Sequence, residues 1–210
     1  MDVKELVIIG EEDIGKTTLA NALLGWDILP QTNSGWHAHT KENTSRMLTD
    51  TIRLTDTPGY DLWDFTVPET VIEAVSHADT VVMMFKDFAS EEDAEPEWID
   101  LEEAEEYRRW VENLAKEETL LKDLLTRAKT RDIYFVIPFS RKDAPWEQEE
   151  RERDMVRAKE RFASYSDHGE DGFFSIDPMM ALIAAIEDDH AALEASGILT
   201  LKAALLGREE

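Results

Sequence analysis

Apolar residues along this chain occur in short continuous runs and at helical spacing, and the two patterns alternate. The continuous runs predict buried strands at 6–9, 80–85, 133–138 and 173–176. Two further short strands, which are close enough along the chain to pair antiparallel, are predicted at 45–48 and 51–55. Helices are predicted at 16–24, 68–77, 146–165, 178–194 and 198–206. Strands that alternate with helices predict an α/β fold: a mainly parallel twisted sheet with helices on both faces and one antiparallel edge pairing.

One further segment, 107–128, has apolar residues at helical spacing that are interrupted at Glu117 and Glu118. One long helix and two shorter helices agree equally well with this pattern. The neighbouring residues 91–106 hold ten acids and no base, which favours a solvated acidic face over a binding patch. We therefore expect a single domain over 1–210, with an acidic helical elaboration at about 88–130 and an extra helix at about 178–194.

The amino-acid composition restricts which partners the protein can bind and in which cellular compartment we expect it. The 47 acidic residues against 22 Lys and Arg give a net charge of −25, and such a surface repels nucleic acids and anionic lipids. Adaptation to high salt gives a similar excess of acidic over basic residues, and the sequence leaves that alternative open. There is no cysteine, hence no disulfide framework or thiolate metal site. No apolar run is long enough to span a membrane, and no secretory signal is found, so we expect a cytoplasmic protein without a direct nucleic-acid partner.

The first predicted strand is followed at once by a phosphate-binding pattern, Gly10-(four residues)-Gly15-Lys16-Thr17. Glycines let backbone N–H groups turn inward around a phosphate chain, and the start of the next helix adds partial positive charge. The lysine reaches the β- and γ-phosphates, and the threonine hydroxyl holds Mg²⁺. A plain glycine-rich turn explains neither side chain. The pattern therefore predicts a nucleotide, bound by Gly10, Asp13, Ile14, Gly15, Lys16, Thr17 and Thr18.

A second motif, Asp56-Thr57-Pro58-Gly59, follows the strand predicted at 51–55, and Asp56 comes 40 residues after Lys16. An acid at the end of a strand beside the phosphate loop can hold Mg²⁺ through water. A glycine three residues further on can present its backbone N–H to a γ-phosphate. The motif alone is weak evidence, but its position on the next major strand makes Asp56 a candidate metal ligand and Gly59 a candidate phosphate contact.

With these two motifs the chain resembles the P-loop GTPases of the translation-factor-related class, in particular the Era-like and dynamin-like GTPase domains. The segments that carry the resemblance are 15–25 (GKTTLANALLG) and 54–59 (LTDTPG). The resemblance implies a Ras-like P-loop fold and a Mg²⁺-dependent molecular switch that hydrolyses GTP to GDP and phosphate. It also implies that Lys16 and Gly59 act on the transferred phosphoryl group.

The resemblance further implies a guanine-reading motif after a later strand, where the chain has the segment 140–143 (SRKD). Asp143 fits the carboxylate that accepts the N–H groups of guanine. Arg141 replaces the usual Lys, and its stem and guanidinium plane can cover the base. Ser140 departs from the Asn or Thr of the family pattern. Ser175, after the last strand, stands where the family places a backbone contact with the guanine O6.

The family's switch threonine, a catalytic residue, brings its hydroxyl to Mg²⁺ and its backbone N–H to the γ-phosphate. It lies between the first helix and the next strand, where this chain has Thr32, Thr40 and Thr44. Thr40 leaves room for two short strands before Asp56 and is our preferred assignment, for the metal and for catalysis. Thr32 is the second choice.

Two departures from the family pattern bear on turnover. Tyr60 stands where Ras-like members carry a water-orienting Gln. A phenol cannot hold water as a carboxamide does, so we expect slow basal hydrolysis, at about 10⁻⁴ to 10⁻³ s⁻¹. We expect a partner or a nucleotide-dependent homodimer to raise it. Asp13 stands where potassium-stimulated members carry Asn, which makes K⁺ a second candidate ion, although a solvent-facing acid is the simpler interpretation.

Two alternative functions stay open from the sequence. A P-loop ATPase or small-molecule kinase would prefer ATP and carry a basic lid, and we find no Arg-rich lid segment. A weakly hydrolysing GTPase-like interaction module would act through the acidic residues 91–106. The partners we expect are a guanine nucleotide and a protein effector or activator.

Overall fold

Six strands form one sheet in a computed structural model, which describes residues 2–25, 42–61, 66–86, 101–139 and 145–207. The strands are β1 (Lys4–Gly10), β2 (Thr44–Thr49), β3 (Ile52–Asp56), β4 (Thr80–Met84), β5 (Ile133–Pro138) and β6 (Phe173–Ile176). Their order across the sheet is β2-β3-β1-β4-β5-β6. β2 pairs antiparallel with β3, and every other pairing is parallel. The predicted edge hairpin and parallel core are confirmed.

The helices of the described residues are α1 (Lys16–Leu24), α2 (Glu69–His77), α3 (Leu101–Arg127), α4 (Pro145–Phe162), α5 (Pro178–Glu187), α6 (His190–Ala195) and α7 (Ile198–Leu206). The helix predicted at 146–165 ends at Phe162 and continues as one 3₁₀ turn over Ala163–Tyr165. Gly25 ends α1 in a left-handed conformation, as its position after the last apolar residue predicts.

Neighbouring residues of β1 face opposite sides of the sheet and divide the core in two. Leu6 and Ile8 pack into a cluster with buried residues of α1, α5 and α7. Val7 and Ile9 pack into a second cluster with α2, α3 and α4. Because both faces are covered, the central strands are buried over most of their length, and these buried parts read in the sequence as continuous apolar runs. Helices on both faces complete the predicted α/β architecture.

The question of one helix or two in the segment 107–128 is settled by α3, which runs unbroken for 27 residues. The two acids that interrupt the apolar pattern have different environments. Glu117 is only 5% exposed and points into the core. Glu118 lies at the edge and forms ion pairs with Lys122 and Arg161, each at 2.7 Å. The interruption therefore marks a polar contact inside the fold and not a helix end.

The single helix predicted at 178–194 is wrong, since α5 and α6 are separate helices. Asp188 adopts a left-handed conformation with φ 57°, which ends α5. Asp189 then caps α6, because its side chain accepts a hydrogen bond from the Ala192 amide at 3.0 Å. Aspartate tolerates left-handed backbone and caps helices well, so the Asp188-Asp189 pair was the missed signal.

Gly197 and Gly207 flank α7 and provide a matched test of backbone space. Both are left-handed, with φ 81° and 61°. A Cβ on Gly197 would lie 2.6 Å from the carbonyl oxygen of Ser175, whereas nothing lies within 4 Å of a Cβ on Gly207.

We predict that Gly207→Ala lowers the free energy of unfolding by about 1–2 kcal/mol for the left-handed strain. Gly197→Ala should lose a further ~1–3 kcal/mol, because a backbone atom must move. Equal losses in urea unfolding would contradict the close approach of α7 to β6.

Candidate functional site

The phosphate loop (residues 10–15) connects the end of β1 to α1 at the carboxyl edge of the sheet. Gly15 is the N-cap of α1 and has no side chain to bond the first helical amides, which leaves them available to an anion. Asp13 is exposed and left-handed, with φ 59°. A Cβ on Gly15 would lie 4.0 Å from Pro178, so the start of α5 borders this loop. The other predicted loop contacts are partly buried: Ile14, Thr17 and Thr18.

Lys16, the first residue of α1, is 6% exposed, and its Nζ donates to the carbonyl oxygen of Glu11 at 2.6 Å. Burial lowers its pKa to about 8, although the negative charges of Asp56, Glu12, Asp13 and Glu11 act in the opposite direction. The loop therefore holds a lysine whose charge is only partly compensated. An anion placed beside Nζ would restore its proton affinity.

Asp56 ends β3 beside the start of α1, and its Oδ2 accepts a hydrogen bond from the Thr17 hydroxyl at 2.7 Å. The carboxylate is 1% exposed, and its Oδ1 is buried without a hydrogen-bond partner among the described residues. Burial raises the pKa of Asp56, while the Thr17 hydroxyl and the Lys16 charge oppose that rise. A buried carboxylate oxygen without a partner is unfavourable. A hard cation that takes oxygen ligands would satisfy it.

The Asp56 turn (residues 56–60) continues the pairing of β3 with β1 onto the phosphate loop. The Tyr60 amide donates to the Gly10 carbonyl at 3.3 Å, and the Glu12 amide donates to the Tyr60 carbonyl at 3.1 Å. A Cβ on Gly59 would lie 2.4 Å from the backbone nitrogen of Glu12, so only glycine fits there. The two sequence motifs are therefore joined through their backbones into one unit.

The side chain of Tyr60 does not face this unit's surface. It is fully buried in the cluster that packs against α2, α3 and α4, and its hydroxyl donates to Glu117 Oε1 at 2.8 Å. Burial, followed by the charge and the hydrogen bond of Glu117, raises the pKa of Tyr60 well above its ordinary value. Sequence reasoning missed Glu117 as a neighbour of the site. The acid inside the apolar spacing of α3 was the available signal.

The remaining predicted residues fall in different places. Thr44 begins β2 and lies opposite Asp56 in the antiparallel register. Ser175 is exposed near the end of β6. Asp177, just after β6, is buried and caps α5 through the Met180 amide at 2.9 Å. Several predicted residues lie outside the described residues: Thr32, Thr40, Ser140, Arg141 and Asp143.

None of the helices in the described part of the chain is both long and apolar enough to cross a bilayer.

Comparison with known proteins gives one family match. The sequence model of the family described as 50S ribosome-binding GTPase matches residues 5–137. No curated protein matches the chain.

Solved structures similar to the chain include two of Era, one from Aquifex aeolicus bound to GDP and AlF₄⁻, the other in complex with MgGDPNP and a fragment of 16S ribosomal RNA. Each Era structure is 18% identical in sequence to this chain and has a TM-score of 0.45. The match covers 94% of this chain and 57% of the Era chain. A structure of an oligomerised bacterial dynamin pair is 14% identical in sequence, with a TM-score of 0.59. The match covers 98% of this chain and 45% of the dynamin chain. The chain thus spans about half the length of these relatives, and the likeness to the dynamin concerns the fold.

We predict that Lys16 titrates near pH 8 in the free protein and not at its ordinary 10.5, because it is buried. Among the nearby acids Asp56 raises the pKa of Lys16 most and Asp13 less. Asp56→Asn should therefore lower this pKa further, and Asp13→Asn should lower it by a smaller amount. The carbon-13 chemical shift of the Lys16 Cε, followed against pH, measures the pKa of Lys16 in the wild type and in both variants. An unshifted Lys16, or an equal effect of both substitutions, would contradict the described geometry.

Proposed function

The chain belongs to the 50S ribosome-binding GTPase family, and on that premise we propose that it is a Mg²⁺-dependent molecular switch that hydrolyses GTP to GDP and phosphate. The observation that carries the proposal is the hydrogen bond between Thr17 and Asp56 beside Lys16, with the buried Oδ1 of Asp56 left without a partner among the described residues. A triphosphate with its cation would satisfy all three side chains at once.

Lys16 and the amides of the phosphate loop bind the phosphates in this proposal. The Lys16 Nζ would leave the Glu11 carbonyl, to which it donates at 2.6 Å, and pair with the phosphate oxygens. The negative charge of the phosphates raises the pKa of Lys16 again, so that the side chain is fully protonated. Its charge then stabilises the negative charge that develops on the transferred phosphoryl group. Gly59 presents its backbone N–H to the γ-phosphate.

The residues at the end of β3 and the start of α1 fit Mg²⁺. Thr17 offers a hydroxyl and Asp56 a carboxylate, oxygen ligands of the kind that Mg²⁺ takes while it keeps several waters. When bound, the ion neutralises charge on the β- and γ-phosphates. Thr40 is the third proposed ligand and lies outside the described residues. Thr44, which lies opposite Asp56 on β2, is the one candidate for the switch threonine that falls within the described residues.

Basal hydrolysis is slow in this proposal, because Tyr60 cannot place a water. Its hydroxyl is engaged by Glu117 in the core, away from the surface of the site. A partner protein or a nucleotide-dependent homodimer supplies the missing group. Asp13, exposed and left-handed in the phosphate loop, is the residue that would hold K⁺.

We place guanine selection on Asp143, Arg141 and Ser175, and regard residues 1–210 as one GTPase domain with an acidic elaboration at about 88–130 and additional helices after β6. One Era structure is a complex with ribosomal RNA. The net charge of −25 in this chain leads us to propose that it does not bind RNA directly. We also place it in the cytoplasm, with a protein effector or activator.

The phosphate assignment is tested by Lys16→Ala. The variant should lose tight binding of GTP and GDP, and the wild type should bind GTP more tightly with Mg²⁺ than with a chelator, as isothermal titration calorimetry can measure. Lys202→Ala is the matched control, because the Lys202 Nζ also donates to a backbone carbonyl, that of Leu23 at 2.8 Å, near the end of α1 opposite to the loop. Unchanged GTP affinity in a folded Lys16→Ala protein would refute the assignment.

Base choice is tested by Asp143→Asn. A carboxylate only accepts hydrogen bonds and matches two N–H groups of guanine, whereas adenine has an acceptor at N1 and no 2-amino group. The wild type should therefore prefer GTP to ATP, by a factor that can reach about 10⁴. The Asn variant adds donors, so it should bind GTP more weakly and xanthosine triphosphate more tightly. A wild type that binds ATP as well as GTP would favour the ATPase alternative.

A further inference from the structure

A chain of polar contacts runs through the core from α3 to the phosphate loop. Glu117, in the middle of α3, accepts the Tyr60 hydroxyl at 2.8 Å. A hydrogen bond from the Glu11 backbone lowers the pKa of the same phenol, against the larger effects of burial and of Glu117. The Glu11 carbonyl in turn accepts the Lys16 Nζ at 2.6 Å. Three contacts therefore connect a helix of the second core cluster with the lysine that we assign to phosphate.

The position of Glu117 is unusual for a charged side chain. It lies one helical turn before Leu121 on the buried face of α3, and it is 5% exposed. A buried carboxylate is strongly unfavourable without partners, and so is a buried phenol without a hydrogen bond. Glu117 and Tyr60 therefore each supply the other with a hydrogen bond inside the core. Replacing such a buried polar pair with an apolar pair is often neutral or stabilising, so fold stability alone does not explain the pair.

The backbone of Tyr60 explains what the contact can control. Its amide and carbonyl bond Gly10 and Glu12 on the two sides of Glu11. Gly59, the preceding residue, packs so closely on Glu12 that a Cβ would lie 2.4 Å from the Glu12 nitrogen. Any movement of Tyr60 is thus transmitted to both the phosphate loop and Gly59. A displacement of about 1 Å in such groups can reduce a rate by about 10²-fold.

We propose that Glu117 is a positioning residue for phosphoryl transfer: through the Tyr60 hydroxyl it holds Gly59 and the phosphate loop at the separation that the γ-phosphate requires. The inference rests on the proposed GTPase function. It adds a residue of α3, remote in sequence from both motifs, to the set that determines the rate. Glu117 is assigned no contact with the nucleotide and acts on the site through its hydrogen bond with Tyr60.

The test compares Tyr60→Phe, Glu117→Leu, Glu117→Gln and the double variant Tyr60→Phe/Glu117→Leu in the full chain. Hydrolysis of bound GTP is measured in a single turnover, and GTP affinity and thermal unfolding are measured separately. Tyr60→Phe and Glu117→Leu should each slow hydrolysis about tenfold or more, with GTP affinity within about threefold of the wild type. Glu117→Gln keeps an acceptor for the hydroxyl and should remain near the wild-type rate.

The double variant separates positioning from stability. It should be as slow as either single variant, because the two side chains act through one contact, yet it should unfold at a temperature at or above that of Glu117→Leu. Asp154→Leu is the matched control: Asp154 is 4% exposed in α4 and pairs with Arg157 at 3.4 Å, so its loss should reduce stability and leave hydrolysis unchanged.

The outcomes distinguish this inference from the function on which it rests. If the wild type hydrolyses GTP and both Tyr60→Phe and Glu117→Leu do so at the wild-type rate, the inference is overturned while the proposed function stands. A Glu117→Gln variant as slow as Glu117→Leu also overturns it, because the acceptor would then not be what matters. A wild type that does not hydrolyse GTP contradicts both. Should Glu117→Leu fail to fold, Tyr60→Phe, which removes a single oxygen atom, decides the matter.

Discussion

The parallel pairing of β1 with β3 is the constraint on which the site depends. In that register Ile8 lies opposite Asp56, so the end of β3 arrives beside the start of the phosphate loop. The Thr57 hydroxyl donates to the Ile8 carbonyl at 2.8 Å and continues the connection beyond the last strand residue. The backbone bonds of Tyr60 to Gly10 and Glu12 extend it over the loop itself. A shift in this register would separate the two motifs.

The electrostatics of the site are unfavourable in the free protein and favourable to a polyanion with its cation. Burial lowers the pKa of Lys16 and raises that of Asp56, so each charged form is made costly by the fold. The phosphates compensate the lysine, and a divalent ion compensates the carboxylate. A nucleotide must still approach a chain of net charge −25. Association should therefore become faster as salt screens that repulsion.

Much of the fold was predictable because sheet burial has a simple sequence signature. The runs around Ile8, Val82 and Val136 are apolar at every position, since helices cover both faces of the sheet. The phosphate loop was predictable because its glycines, Lys16 and Thr17 form a fixed pattern. The break at Asp188 and the inward direction of Glu117 have signals in the sequence, but these do not decide the outcome, since the first depends on local backbone conformation and the second on a partner far away in the sequence. The sequence shows that Tyr60 lacks the carboxamide that orients water, whereas its buried contact with Glu117 is visible only in the tertiary structure.

The bond between Tyr60 and Glu117 also bears on how this protein can evolve. The two residues are 57 positions apart, and each supplies the other with a hydrogen bond inside the core. A single substitution at either position removes one hydrogen bond from a buried polar group, while a paired change to apolar side chains removes both polar groups. The two positions should therefore be inherited as a pair. Among descendants of this chain, the identity of one residue should forecast that of the other.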